Sequence, residues 1–208
     1  MPVDGCFLCL TASGTADISW TDRPLWLDPR RGLLLPGLGG LTVGYVLLSP
    51  ISHDPSLRAS AMRPDDGRHF VEFVEEVLEF LGERLGGDLT YWEHGGADIS
   101  EERQSACVEH AHLHIAAGHL PLSTPPGHVA HSGLGQALTW MAGSEDSNPY
   151  LLMGHTSGSC FTGRDAEPSQ YYRREWAKIV GRDDEWDYLL SGSPDVTRRT
   201  IESILLPR

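Results

Sequence analysis

The stretch Val108-Glu109-His110-Ala111-His112-Leu113-His114-Ile115-Ala116-Ala117 sets a histidine at every second position, with small or apolar residues between them. A period of two is the pattern of an extended strand, in which successive side chains point to opposite faces. His110, His112 and His114 therefore share one face, and Ala111, Leu113 and Ile115 share the other. The apolar face is fit for a core. Three imidazoles in a row must each find a partner or stay solvated, so the other face is expected to carry chemistry or a metal.

The residues before this strand extend the pattern. Leu89 to Trp92 reads as a strand that ends in Glu93-His94-Gly95-Gly96, and a polar loop through Glu101, Glu102 and Arg103 leads to the histidines. Upstream lies the clearest helix, capped by Asp65 or Asp66. Its residues Phe70, Phe73, Val74, Val77, Leu78, Leu81 and Leu85 repeat at helical spacing, and Gly86-Gly87 ends it. Leu33 to Leu35 and Leu41 to Leu48 read as strands around the turn Pro36-Gly37-Leu38-Gly39-Gly40, and Ser49 to His53 leaves as an exposed loop. The order strand, strand, helix, strand, loop, strand predicts an antiparallel sheet with a helix packed on one face, the α+β class.

Beyond Ala117 the texture changes. Leu120 to Gly135 is rich in Pro, Gly and Ser and is expected to be a long loop. Tyr150 to Met153 and Ser159 to Thr162 suit a hairpin. A helix is expected from Ser169, with Tyr172, Trp176, Ile179 and Val180 inward and Gly181 as its end. A last helix is expected from Asp195, with Val196, Ile201, Ile204 and Leu205 inward. The division is a core over residues 1–120 and a C-terminal, mainly helical extension over 121–208, packed on the same body.

Composition narrows the function. The 208 residues are enough for one substantial core. A formal net charge of −13 argues against nucleic acid or an anionic membrane surface as partner. No apolar run approaches the roughly 20 residues of a membrane span. The first ten residues lack the basic start and apolar middle of a signal peptide, so a cytoplasmic location is expected. With four cysteines, two of them in Cys6-Phe7-Leu8-Cys9, metal or reduced thiol fits better than a disulfide framework.

The run His110-x-His112-x-His114 followed by Ile115-Ala116 resembles the signature of the histidine triad (HIT) superfamily. The preceding order of CxxC, strand and loop with a histidine, amphipathic helix and Glu-His-Gly strand end resembles it too, over about residues 4 to 117. The resemblance implies a HIT-like sheet and a nucleotide or nucleotide-like substrate. It makes His112 the nucleophile on an α-phosphate, forming a covalent nucleotidyl-histidine, and His114 a contact to phosphoryl oxygens. Transfer to water makes the enzyme a hydrolase. Transfer to phosphate or a sugar phosphate makes it a phosphorylase or nucleotidyl transferase, and a nucleotide-binding module with little turnover is a further alternative. Two positions depart from familiar members. Cys107 stands where many have serine, with Ser105 two residues earlier, and His94 stands where many have asparagine. Both loop residues and His94 are taken as substrate contacts, as is Gln170 in Ser169-Gln170-Tyr171-Tyr172-Arg173-Arg174.

CxxC by itself is shared by zinc sites and redox motifs. The resemblance implies structural zinc, with His110 turned toward the two cysteines and His53 as fourth ligand. It also implies a homodimer in many relatives, a surface that the extension here could occupy instead.

Overall fold

The computed structural model describes residues 5–14, 19–96, 110–144, 148–164, 167–168, 170–188 and 190–206. Among these, eight strands form one antiparallel sheet: β1 (Trp26–Asp28), β2 (Gly32–Pro36), β3 (Val46–Pro50), β4 (Leu89–Gly95), β5 (Leu113–Ala117), β6 (Val129–His131), β7 (Tyr150–His155) and β8 (Cys160–Arg164). The strand order is β1-β2-β3-β5-β4-β7-β8-β6. The helices are α1 (Phe7–Ser13), α2 (Leu57–Ala61), α3 (Gly67–Leu85), α4 (Leu134–Ala142), α5 (Tyr171–Ile179) and α6 (Pro194–Leu205). The α+β class and the antiparallel sheet are as expected. The extension adds strands as well as helices, because β7 pairs directly with β4 and carries the sheet onward through the expected hairpin.

Alternation sorts the strand residues onto two faces. Val46 and Leu48 of β3, Leu89 and Tyr91 of β4, and Leu113 and Ile115 of β5 join one buried cluster with Phe70, Phe73, Val74 and Val77 of α3. The intervening Leu47, Trp92 and Ala116 join Tyr172 and Trp176 of α5 on the opposite face. The helix α3 ends as its sequence demands: Gly86 takes the left-handed conformation, φ 77°, and its N–H returns to the Gly82 carbonyl. Among the described residues no helix is long and apolar enough to cross a membrane.

Several boundaries differ from the expectation. The second strand begins at Val46, because Gly44 turns at φ 90° and leaves residues 41–45 as a loop. The expected loop from Leu120 to Gly135 contains β6 and the start of α4. In α6 the inward residues are Thr197, Thr200 and Ile204, while Leu205 is exposed. Thr200 Oγ1 accepts the Gly44 N–H at 2.9 Å, so this face docks through a hydroxyl as well as by burial. In α5 the buried set is Tyr172, Arg173, Trp176 and Ala177, and Ile179 is exposed.

Candidate active site

The three histidines meet three different environments. The ladder takes over at Leu113, so His110 and His112 precede the paired part of the strand and His114 lies inside it, opposite Trp92 of β4 and Leu47 of β3. His110 is fully buried, so the histidine side is not a solvated face. Its Nε2–H donates to the Pro50 carbonyl at 3.0 Å, which leaves Nδ1 bare. Nδ1 lies 3.4 Å from Cys6 Sγ and 3.5 Å from Cys9 Sγ. His53 Nδ1 is 3.4 Å from Cys9 Sγ. Burial first, with the neighbouring imidazoles adding to it, lowers the His110 pKa to about 4 and keeps the ring neutral.

These four side chains satisfy the geometry of a closed metal site. One donor atom from each of Cys6, Cys9, His53 and His110 lies within 4.8 Å of the others. Zinc bonds of roughly 2.3 Å to sulfur and 2.0–2.1 Å to nitrogen at a tetrahedral angle separate S and N by roughly 3.6 Å. The observed S···N distances of 3.4 to 3.5 Å match that spacing. The Pro50 carbonyl orients the His110 ring as an outer partner orients a ligand. Helix α1 starts within the CxxC and places both thiols on the sheet through Leu8, beside Leu33 and Leu35.

His112 sits one step along. Its Nδ1–H donates to the His110 carbonyl at 2.8 Å, and burial lowers its pKa, which favours the neutral ring with Nε2 bare. His112 lines a cavity of about 240 Å³ together with His94, His114, Tyr45, Trp92, Gln170 and Arg173. That volume is below the roughly 300 Å³ of pockets for drug-sized ligands, so it suits a small ligand or one portion of a larger one. The His114 ring lies against Trp92, centroids 5.3 Å apart and planes 6° from parallel, and at 4.8 Å and 68° to His112.

Among solved structures the chain is similar to a histidine triad protein from Clostridium difficile, 25% identical, with a TM-score of 0.44, covering 59% of this chain and 99% of that one. It is also similar to a HIT family hydrolase from Clostridium thermocellum, 14% identical, with a TM-score of 0.42, covering 60% of this chain and 98% of that one. The chain resembles histidine triad proteins. No protein-family model and no curated protein matches it.

Of the substrate contacts expected from the triad resemblance, His94, His114 and Gln170 converge on the cavity. Ser105 and Cys107 lie outside the described residues. Gln170 precedes α5 with φ 58°, a left-handed backbone that strains a residue other than glycine, and its buried Oε1 has no hydrogen-bond partner among the described residues. Sequence reasoning missed Tyr45 as part of the triad environment, and it offered Arg173 only as a local positive charge near a phosphate, with a solvated arginine as the alternative. Arg173 is 2% exposed, whereas its neighbour Arg174 lies over the Trp186 ring. Only its position within one turn of Tyr172 and Trp176 on the α5 stripe hinted at burial.

A second group of titratable side chains sits at the ends of β4, β5 and β7, where Asp88, His119 and His155 meet. His119 Nδ1–H donates to Asp88 Oδ2 at 2.9 Å, and His155 Nδ1–H donates to the Thr90 hydroxyl at 3.0 Å. Asp88 Oδ1 also accepts from the Leu89 and Ser157 N–H groups and the Thr156 hydroxyl. The two rings stack at 3.8 Å, 16° from parallel. Lone pairs in nearly parallel planes do not converge on one ion, so this group is a brace for the turn at residues 156–158.

Proposed function

We propose that this chain is a histidine triad enzyme that acts on the α-phosphate of a nucleotide or nucleotide-like substrate, with His112 as nucleophile and water as acceptor. The observation that carries the reading is the His112 ring. Its Nδ1–H is committed to the His110 carbonyl, so the Nε2 lone pair is the ring's free nucleophilic site beside the cavity. In the first step that lone pair bonds to phosphorus, and the P–O bond to the leaving group breaks with its electron pair on the departing oxygen. A phosphate leaving group needs no proton at neutral pH. In the second step a water oxygen bonds to phosphorus, the P–N bond breaks, the pair returns to His112 Nε2, and the water proton is released. Aromatic walls from Tyr45 and Trp92 suit a base or sugar face, and His94 and Gln170, which line the same cavity, would touch polar groups of the substrate.

Zinc at Cys6, Cys9, His53 and His110 would be structural, since four protein ligands leave no open position. Bound there, it would tether α1 and fix His110, whose carbonyl orients His112.

The test is to mix the enzyme with a dinucleoside polyphosphate or a nucleoside phosphoramidate, quench, and measure intact mass. An acid-labile nucleotidyl adduct on His112, absent in His112→Ala, is the expected result. Nucleotide that binds the wild-type protein across a broad substrate panel with neither adduct nor product refutes turnover. Product joined to added phosphate instead of water moves the enzyme to the phosphorylase class. Metal analysis after gentle purification is expected to give one zinc per chain, lost in Cys9→Ser.

A further inference from the structure

His114 is joined to the extension by a chain of hydrogen bonds through Tyr45 and Arg173. Tyr45, buried in the loop before β3, places its hydroxyl 2.6 Å from His114 Nδ1. The two rings lie 11° from parallel with centroids 6.0 Å apart. Arg173 of α5 reaches the same hydroxyl, with Nη1 3.3 Å from the Tyr45 oxygen. The guanidinium is itself clamped: Nη2–H donates to the Gly39 carbonyl and Nε–H to the Trp186 carbonyl, each at 2.9 Å. Gly39 permits this by turning at φ 63°, where a Cβ would strike Tyr188.

Arginine has donors only. The Tyr45 oxygen therefore accepts from Arg173, and giving its own hydrogen to His114 Nδ1 carries the chain on to the imidazole. In that arrangement Nδ1 is bare and the neutral ring carries its hydrogen on Nε2. His112 has the opposite arrangement, with Nδ1–H tied back to a carbonyl and Nε2 bare. Adjacent triad histidines would then hold opposite tautomers, each set by the partner of its Nδ1. A neutral imidazole N–H is a hydrogen-bond donor rather than a proton source, which suits a group that stabilises charge growing on phosphoryl oxygen.

We propose that Tyr45 and Arg173 are positioning residues that lock His114 as its Nε2–H tautomer, so that it donates to a phosphoryl oxygen while His112 attacks. The inference rests on the proposed nucleotidyl chemistry for its catalytic consequence, but the tautomer is a property of the protein without substrate. Burial, followed by the charges of His112, Arg173 and His94, holds the His114 pKa well below its ordinary value, consistent with a neutral ring.

The test uses the full chain labelled with 15N at histidine. Two-bond 1H–15N spectra near neutral pH identify the protonated ring nitrogen, and the His114 signals are assigned by their loss in His114→Asn. Wild type is expected to show protonated Nε2 and bare Nδ1. Arg173→Gln frees the Tyr45 oxygen to accept from Nδ1–H, and Tyr45→Phe removes the partner with little change of volume. Each is expected to yield a mixed His114 signal and, on a substrate that labels His112, a kcat lower by about 10- to 100-fold with KM within about twofold, less than loss of a whole oxyanion donor. Should Arg173→Gln fail to fold, Tyr45→Phe still decides. A wild-type His114 carrying its hydrogen on Nδ1 overturns the proposal, as do variants with an unchanged tautomer. A locked Nε2–H tautomer in a protein that forms no adduct instead refutes the proposed function and leaves the tautomer assignment standing.

Discussion

The two faces of the sheet are built from the same strands and put to opposite uses. On the α3 side, Val46, Leu48, Leu113 and Ile115 meet Phe73, Val74 and Val77 in a dry cluster, with Trp26 packed edge-on to Phe73 at 5.5 Å. On the α5 side, the alternate positions present Trp92 and His114 to Trp176, Arg173 and Tyr45. Here the aromatic rings end in polar atoms whose directions matter more than their area. Burial on the first face offsets the cost of holding ordered polar groups on the second. Position along a strand assigns a residue to a face, but the helix opposite decides whether that face is core or site.

That contrast can be broken first where the expected effect is largest. His112→Ala is expected to lower turnover by at least about 10³-fold, while the melting temperature moves little. Single-turnover kinetics beside thermal unfolding checks both, and retained turnover would reduce the α5 side to a second core. Phe73→Ala sits on the dry face and is expected to cost roughly 3–5 kcal/mol in denaturant unfolding, with kcat per folded molecule unchanged. A comparable loss of kcat would mean that the faces are coupled.

Glu93 sharpens the comparison, since it is the buried carboxyl on the α3 side of β4. The Leu57 N–H reaches its Oε1 at 2.8 Å, and the Tyr150 hydroxyl bonds its other oxygen. Burial outweighs these contacts and the Arg58 charge and pushes its pKa up to about 7 from 4.5. The folded state then keeps the proton longer than the unfolded state. Stability is full below about pH 4.5 and falls as pH rises to about 7, by roughly 3 kcal/mol, then levels. Glu93→Gln is expected to flatten that slope in unfolding measured across the range. A slope unchanged in the variant would assign it to another group.

The smallest expected effect is Cys9→Ser. It should abolish metal retention yet spare the α3 core, so unfolding of α1, followed by hydrogen exchange, should separate from global unfolding. Loss of the whole fold with the metal would make the Cys/His cluster part of the main core.

Much of this was legible in residue order. Helical spacing placed α3 and its glycine stop, and alternation placed the histidines, His94 and the later hairpin. The short elements α1, α2, β1 and β6 were not legible, because segments of three to seven residues are stabilised by what they pack against rather than by their own periodicity. The site was half legible. Arg173 and Arg174 are indistinguishable as letters, and only the α5 stripe separates a buried guanidinium from one laid over Trp186.

The sequence by itself determined that three imidazoles alternate with core residues, that a CxxC precedes them, and that an antiparallel sheet with a packed helix holds them. Only the tertiary structure put a hydrogen-bond partner beside each imidazole. An imidazole acts as metal ligand, nucleophile or donor according to which ring nitrogen keeps its hydrogen. For His112 that partner is a nearby carbonyl, but for His110 and His114 it is Pro50 and Tyr45, 60 and 69 residues away along the chain. Alternation can align three histidines. It cannot set their protons, because the atoms that set them arrive from other strands, loops and a C-terminal helix.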